Sequence, residues 1–444
     1  MQALGQLGSG MGSGGMNSGG YGGFGGPAVL GRGVGSNTGA RAGGDLGIRF
    51  YAGITATFDS GLTGFQINPD GSVISRTAKG VDGVIGAYGV KRFRRSQLGL
   101  NYQGGYHQST QKLFNGTDQS LSLFYGTQLT RRSQFSINTS AGTTNRPIGV
   151  PILAGTIDGN SAGYTVPTNE LFDNRFYYGN VGLGYTIQRS ARLSFGVVGS
   201  GFITRRTGGV LFGFNGANAG ANAAYRLSRR QTIYAGYQFF FYNYTRNFGD
   251  SYGNGFYGGY STILRSGMTL NLSGGATRLE SLGLRTVAID PVIAALIGFS
   301  TTQEVYYGIS YMPSGSATLS MSLNRRSNLS LNGRLFVSPG NGIINTSRNL
   351  SGSANYGYTG LRVATLGASV GYSRLSSVVG DHQSFETIMA SGSASRRISG
   401  GFFFTATAGN RKFLQSSTNN FNRSSFFASF GVYWSPGEIP LSIR

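Results

Sequence analysis

Met268-Thr-Leu-Asn-Leu-Ser-Gly-Gly-Ala-Thr277 decides the fold. Met268, Leu270, Leu272 and Ala276 fall on one face, and Thr269, Asn271, Ser273 and Thr277 fall on the other. A period of two is the signature of a β-strand with two different surroundings. The pattern returns along the chain. Ala317, Leu319, Met321 and Leu323 alternate with Thr318, Ser320, Ser322 and Asn324, and Leu329, Leu331, Leu335 and Val337 alternate with Ser330, Asn332 and Arg334. In a soluble sandwich the polar face would carry Lys and Glu. Here it carries Ser, Thr, Asn, Gln and Gly, which suits a water-filled interior, while the apolar face suits lipid.

Between the alternating runs stand arginines, singly or in pairs: Arg94-Arg95, Arg131-Arg132, Arg189, Arg229-Arg230, Arg265, Arg325-Arg326, Arg362 and Arg396-Arg397. Tight polar turns recurring at such intervals mark a repeated hairpin that closes on itself. Eight turns separate nine up-and-down pairs. The expectation is therefore an all-β, antiparallel up-and-down transmembrane barrel of about eighteen strands, with sixteen as the alternative count. Glu304–Pro313 is read as an extended strand, a loop hairpin or a fold-over. Longer inserts, about 145–175 and 281–303, lengthen the other end of two hairpins. Acidic residues fall in or beside the connections at that end, Asp45 and Glu438 excepted, while bases gather at the tight turns. Short basic turns and long acidic loops orient the barrel with its turns toward a periplasm.

Composition agrees. Of 444 residues, 76 are Gly and only 12% are charged, about half the usual share for a soluble domain. The longest apolar run, Pro291–Phe299, is too short for a transmembrane helix. There is no Cys, which excludes disulfides and thiolate chemistry. The formal net charge of +22 comes almost wholly from Arg, whereas a nucleic-acid binder would more often mix Lys into clusters on one face. Residues 1–44 are Gly- and Ser-rich and are expected to be a disordered leader or a flexible plug. Residues 45–434 form the barrel, and 435–444 a short periplasmic tail. The start lacks a basic n-region and an apolar h-region, so an export signal is expected to have been removed or to lie upstream.

Aromatic clusters such as Tyr237–Tyr244 and Phe176–Tyr178 are expected at the membrane interfaces. The turn arginines have two readings: anchors for lipid phosphates, or a positive ring at the pore mouth. Inward-facing bases would favour selection of anions. By alternation Arg334 faces the lumen, and Arg278, Arg205 or Arg206, and Arg374 are further pore-lining candidates near strand ends. Catalysis has little to work with. His107 and His382 are the two histidines, and Asp381-His382-Gln-Ser384 places a base near a hydroxyl in a loop without an orienting partner. No metal-ligand set forms, although Glu170 and Asp173 are conceivable Ca²⁺ ligands. No enzyme activity, cofactor or nucleic-acid partner is expected.

The alternation, the basic turns, the long loops and the aromatic closing run Phe426-Phe-Ala-Ser-Phe-Gly-Val-Tyr-Trp434 together resemble Gram-negative outer-membrane porin-like barrels over about residues 45 to 434. In that family the aromatic usually ends the chain; here ten residues follow Trp434. The resemblance implies a bacterial outer-membrane location, outer-membrane lipids as partners, and insertion by the barrel-assembly machinery. It implies passive diffusion of small, preferably anionic, solutes. The alternatives are export of an acidic exopolysaccharide with periplasmic partners, and a surface adhesin or structural barrel with a plugged lumen.

Overall fold

The computed structural model describes residues 46–60, 77–112, 115–144, 175–207, 211–290, 292, 295–296, 298–340, 342, 344–362, 364–378, 384–415, 423–436 and 438–441. His382, Glu170, Asp173 and the leader 1–44 lie outside these. In chain order the strands are β1 (Leu46–Asp59), β2 (Ala78–Arg92), β3 (Ser96–Ser109), β4 (Gly116–Thr130), β5 (Ser133–Thr144), β6 (Phe176–Gln188), β7 (Leu193–Arg206), β8 (Gly213–Arg226), β9 (Gln231–Thr245), β10 (Gly249–Arg265), β11 (Met268–Ala288), β12 (Thr301–Asn324), β13 (Ser327–Ser338), β14 (Ser347–Tyr358), β15 (Ala364–Ser377), β16 (Ser384–Arg397), β17 (Phe402–Gln415), β18 (Arg423–Trp434) and β19 (Glu438–Leu441).

From β1 to β18 each strand pairs antiparallel with its sequence neighbours, and β1 pairs with β18 from Ala52↔Trp434 to Asp59↔Phe427. That pairing closes an eighteen-strand barrel, so the sixteen-strand alternative falls. The seam then continues past a break at Ser435-Pro-Gly437, where β19 pairs with β1 from Arg49↔Glu438 to Leu46↔Leu441. The Ser435 hydroxyl donates to the Phe50 carbonyl at 2.7 Å across that break. The expected tail over 435–444 is thus in part a strand of the seam.

All eight expected turns are tight. The turn between β10 and β11 needs only Ser266-Gly267, with Gly267 at φ 81°, where an L side chain is strained. Three turns carry a register shift, which places Leu129, Leu264 and Leu323 as the extra residue on the outward side of the wall. The thirteen turn arginines are all exposed.

Alternation sorts the wall as the sequence predicts. Ile54, Ile85, Val197, Val370 and Phe430 point outward and are 54–66% exposed. Inward positions are paired hydroxyls: Ser273 with Ser316 at 2.7 Å, Ser369 with Ser391 at 2.6 Å, and the Ser200 hydroxyl donating to Asn218 at 2.9 Å. A polar side chain facing inward costs little when its neighbour satisfies it. Among the described residues no helix is long and apolar enough to cross a membrane.

β11 and β12 are the longest, 21 and 24 residues, and stay paired to Ala288↔Thr301. Glu304–Pro313 is therefore an extended strand, not a loop hairpin or fold-over. Beyond Gly315, however, β12 has no pairing with β13. At that height β13 has left the wall, and this departure shapes the lumen.

Candidate functional site

β13 parts from β12 after Leu335 but stays paired with β14 to Ser338↔Ser347, and Pro339 and Gly340 then turn the chain at the tip. Gly340 has φ 87°, and a Cβ there would collide with the Ile344 carbonyl, so only glycine makes the bend. Val337 keeps the parity of the outward Leu335, yet it packs with Leu279 of β11, whose side chain faces the lumen. The outer face of β13 thus lies against the inner face of its neighbours. Gly340, Gly342 and Ile344 to Thr346 of the connection are folded into the barrel.

Hydrogen bonds hold them there. The Tyr244 and Thr346 hydroxyls are 2.6 Å apart, and Thr346 also donates to Ser251 at 2.5 Å. Asn247 donates its amide to Asn345 at 2.9 Å, and the Phe212 amide donates to the Gly342 carbonyl at 3.1 Å. Apolar packing completes the structure. One cluster joins Phe202, Phe214, Phe240, Tyr242, Leu279 and Val337 across β7 to β13. A second joins Leu211 and Ile344 to Leu375, Phe385 and Phe413 on β15 to β17. The two meet where Leu211 and Phe212 touch the inward connection. Together they form an apolar septum across the loop end of the lumen. Phe214, Leu279 and Leu375 are completely buried in it, each contributing about 1.5–3 kcal/mol relative to exposure.

Two arginines edge this septum. The Arg206 guanidinium stands 5.1 Å from the Phe176 ring centre, and Arg411 stands 5.6 Å from Phe413 and 5.5 Å from Phe427. Such stacking holds a cation's position while leaving its charge in place. The remaining sector, β18 and β1 to β6, carries acids on its inward face. Asp82 bonds the His107 ring, Asp118 lies beside Tyr178, and Asp59 lies close enough to Arg411 to act on its charge. That sector is the polar side of the lumen, with Arg206 of β7 and Arg411 of β17 at its two edges and mostly partnered acids between them.

The four pore-lining candidates divide. Arg334 stands level with Ser316 and Ser351, on the parity of the inward hydroxyls. Of the 205/206 pair, Arg206 faces inward and is 5% exposed, while Arg205 faces outward and donates to Asn215 at 2.8 Å. Arg278 does not line the lumen. It shares the outward face of β11 with Leu270, Leu272 and Ala276, and it pairs with Glu280. Tyr252 and Tyr307 cap the same carboxylate at 2.6 and 2.7 Å. Arg374 is likewise outward, level with Leu350 and bonded to Glu386 at 3.3 Å. Both arginines therefore spend their charge on a carboxylate of the outer face and not on the lumen.

The sequence reading missed Arg411 and the septum. It assigned Tyr237–Tyr244 to the interface, whereas Phe240, Tyr242 and Tyr244 point inward and are buried. The available signal was apolar residues on both parities of one strand, which requires a packed partner on each side. Among the described residues no group of three ligating side chains could hold a metal ion.

Comparison with known proteins gives structural likeness only. OccK2 (OpdF) of Pseudomonas aeruginosa, solved with glucuronate, aligns with a TM-score of 0.43 at 12% identity, covering 88% of this chain and 98% of that one. A BenF-like porin from Pseudomonas fluorescens Pf-5 aligns at 0.42 and 11%, covering 89% and 99%. The unliganded ferric citrate transporter FecA aligns at 0.43 and 9%, covering 89% and 79%. No family model matches the chain, and no curated protein does. The barrel assignment rests on the strand pairing itself.

Proposed function

We propose that the protein is an outer-membrane channel for small, preferably anionic, solutes. The observation that carries this reading is the two-sidedness of a closed wall: exposed Ile, Val and Phe outside, hydroxyl pairs inside. Lipid is the solvent that accepts such an exterior, and a polar interior needs water. The solute's path runs along the polar sector beside the septum. Arg206 and Arg334 supply positive charge to that path, while Asp82 and Asp59 are occupied by His107 and Arg411. The basic turns support an orientation in which their rim faces the periplasm.

A second reading is favoured by the septum itself. A lumen filled across at its loop end also suits a surface protein whose barrel serves as an anchor. Purified protein in planar bilayers under a salt gradient separates the two. The channel reading expects ohmic steps with a reversal potential on the anion side. Absence of conductance from bilayer-inserted, heat-modifiable protein overturns it and leaves the anchored surface protein.

A further inference from the structure

The outward wall is apolar up to one height and then changes chemistry. On β17, Phe402, Phe404, Ala406 and Ala408 face out and are followed by Asn410 and Lys412. On β15, Leu366, Ala368 and Val370 are followed by Tyr372 and Arg374. On β14 the same face ends in Leu350 and Arg348. Lys412 is the tenth residue after Phe402, as Arg374 is after Ala364 and Arg348 is before Tyr358. Ten residues at about 3.4 Å each, tilted by roughly 40°, rise about 26 Å. That matches the ~25 Å apolar band of membrane barrels, so the three bases stand at the band's loop-end boundary.

They also stand together. Arg348 is one strand and two registers from Arg374, because Leu350 pairs with Arg374 and Arg348 with Ser376. Lys412 lies two strands further on, paired with Ile388, while Glu386 pairs with Arg374. At about 4.8 Å per strand the patch is roughly 15 Å wide. All three bases are exposed. Among the described residues Glu386 is the one acid of this patch, and it accepts from the Arg374 Nε at 3.3 Å. Three bases against one acid leave a positive surface. The Ser424 hydroxyl, bonded to Asn410 at 3.2 Å, adds neutral polar groups beside Lys412.

We propose that this patch on β14 to β17 binds the phosphorylated headgroup of a glycolipid in the leaflet at the loop end. The inference rests on the membrane-barrel reading above. Arg presents a planar fork that matches phosphate oxygens, and the spread of charge, roughly 15 Å across the strands and four residues (about 13 Å) along them, is wider than one phosphodiester spans. A headgroup carrying two phosphates on a sugar core meets the bases at both ends, while Ser424 and Asn410 face sugar hydroxyls. Its acyl chains lie along Leu350, Val370 and Ile388, which are 43%, 54% and 40% exposed just below.

Native mass spectrometry of the full chain in detergent tests this with a purified diphosphorylated acyl-disaccharide, its dephosphorylated form and phosphatidylglycerol as probes. The intact protein is expected to retain the diphosphorylated probe at least about tenfold better than either other lipid. The triple variant Arg348→Gln/Arg374→Gln/Lys412→Gln is expected to lose that preference, whereas Arg325→Gln/Arg326→Gln at a turn keeps it. Glu386→Gln, which removes the one acid, strengthens retention and covers the case in which the triple variant does not fold. Equal retention of all three lipids by the intact protein, or unchanged preference in a folded triple variant, overturns the proposal. Failure of the underlying barrel reading looks different: the intact protein then neither partitions into bilayers nor shows heat-modifiable migration.

Discussion

The Tyr244 hydroxyl meets the Thr346 hydroxyl at 2.6 Å, joining the end of β9 to a connection 102 residues further along the chain. Both groups are buried, and Thr346 has a second hydroxyl partner in Ser251. A fully satisfied buried network fixes one geometry, because any other arrangement leaves a hydroxyl unpaired in a low-dielectric site. The inward fold of β13–β14 is therefore a defined element of the lumen, positioned by chemistry on three strands.

The first prediction concerns that element. Replacing 340–345 by a short Gly-Ser link removes Ile344 from the septum and frees the Phe212 amide from Gly342. Single-channel conductance is expected to rise roughly twofold or more, since the constriction sets the resistance. Tyr244→Phe deletes one hydroxyl bond at a cost of about 1 kcal/mol and should increase current noise with little change in mean conductance. Unchanged conductance in the truncated variant would place the resistance elsewhere in the lumen.

A second prediction concerns selectivity. Arg334→Glu inverts a charge on the lumen face, and Arg206→Glu does so at the edge of the septum. Both should move the reversal potential toward cations, more than Arg326→Glu at a turn does. Arg278→Glu and Arg374→Glu should leave it unchanged, because both side chains point away from the lumen. A selectivity shift from Arg374→Glu equal to that from Arg334→Glu would contradict the assignment of faces.

Those four arginines also show what the sequence carries and what it does not. Arg334 was legible because strand parity is local: its neighbours Leu331 and Leu335 fix its side. Arg278 was equally legible, since it keeps the parity of Met268 in the opening stretch; its place near a strand end drew attention from that. The turns were legible too, each built from a few consecutive residues such as Ser266-Gly267. The septum was not. It depends on contacts such as Tyr244 to Thr346 and Leu211 to Ile344, between residues more than one hundred positions apart, and no local period encodes them. The surviving trace was Phe239-Phe-Phe-Tyr242, apolar on both faces of one strand, where a wall with lipid outside and water inside needs only one.

A third prediction tests the two-sided wall on which everything else depends. Val370 and Ser369 are adjacent on β15 and point to opposite sides. Val370 is 54% exposed on the outer face, and Ser369 shares a hydroxyl bond with Ser391 on the inner one. Both sit near mid-height, six and five residues above Ala364. Val370→Lys moves a charge into the apolar band and should destabilise the inserted barrel by about 2–4 kcal/mol. Ser369→Lys places the same charge in the water-filled interior, at the cost of one hydroxyl bond, about 1 kcal/mol. Urea titration of folded protein in lipid vesicles measures the difference directly. If the barrel stands in water and not in a bilayer, the order reverses: an exposed lysine at 370 becomes harmless, and the crowded inner position becomes the damaging one.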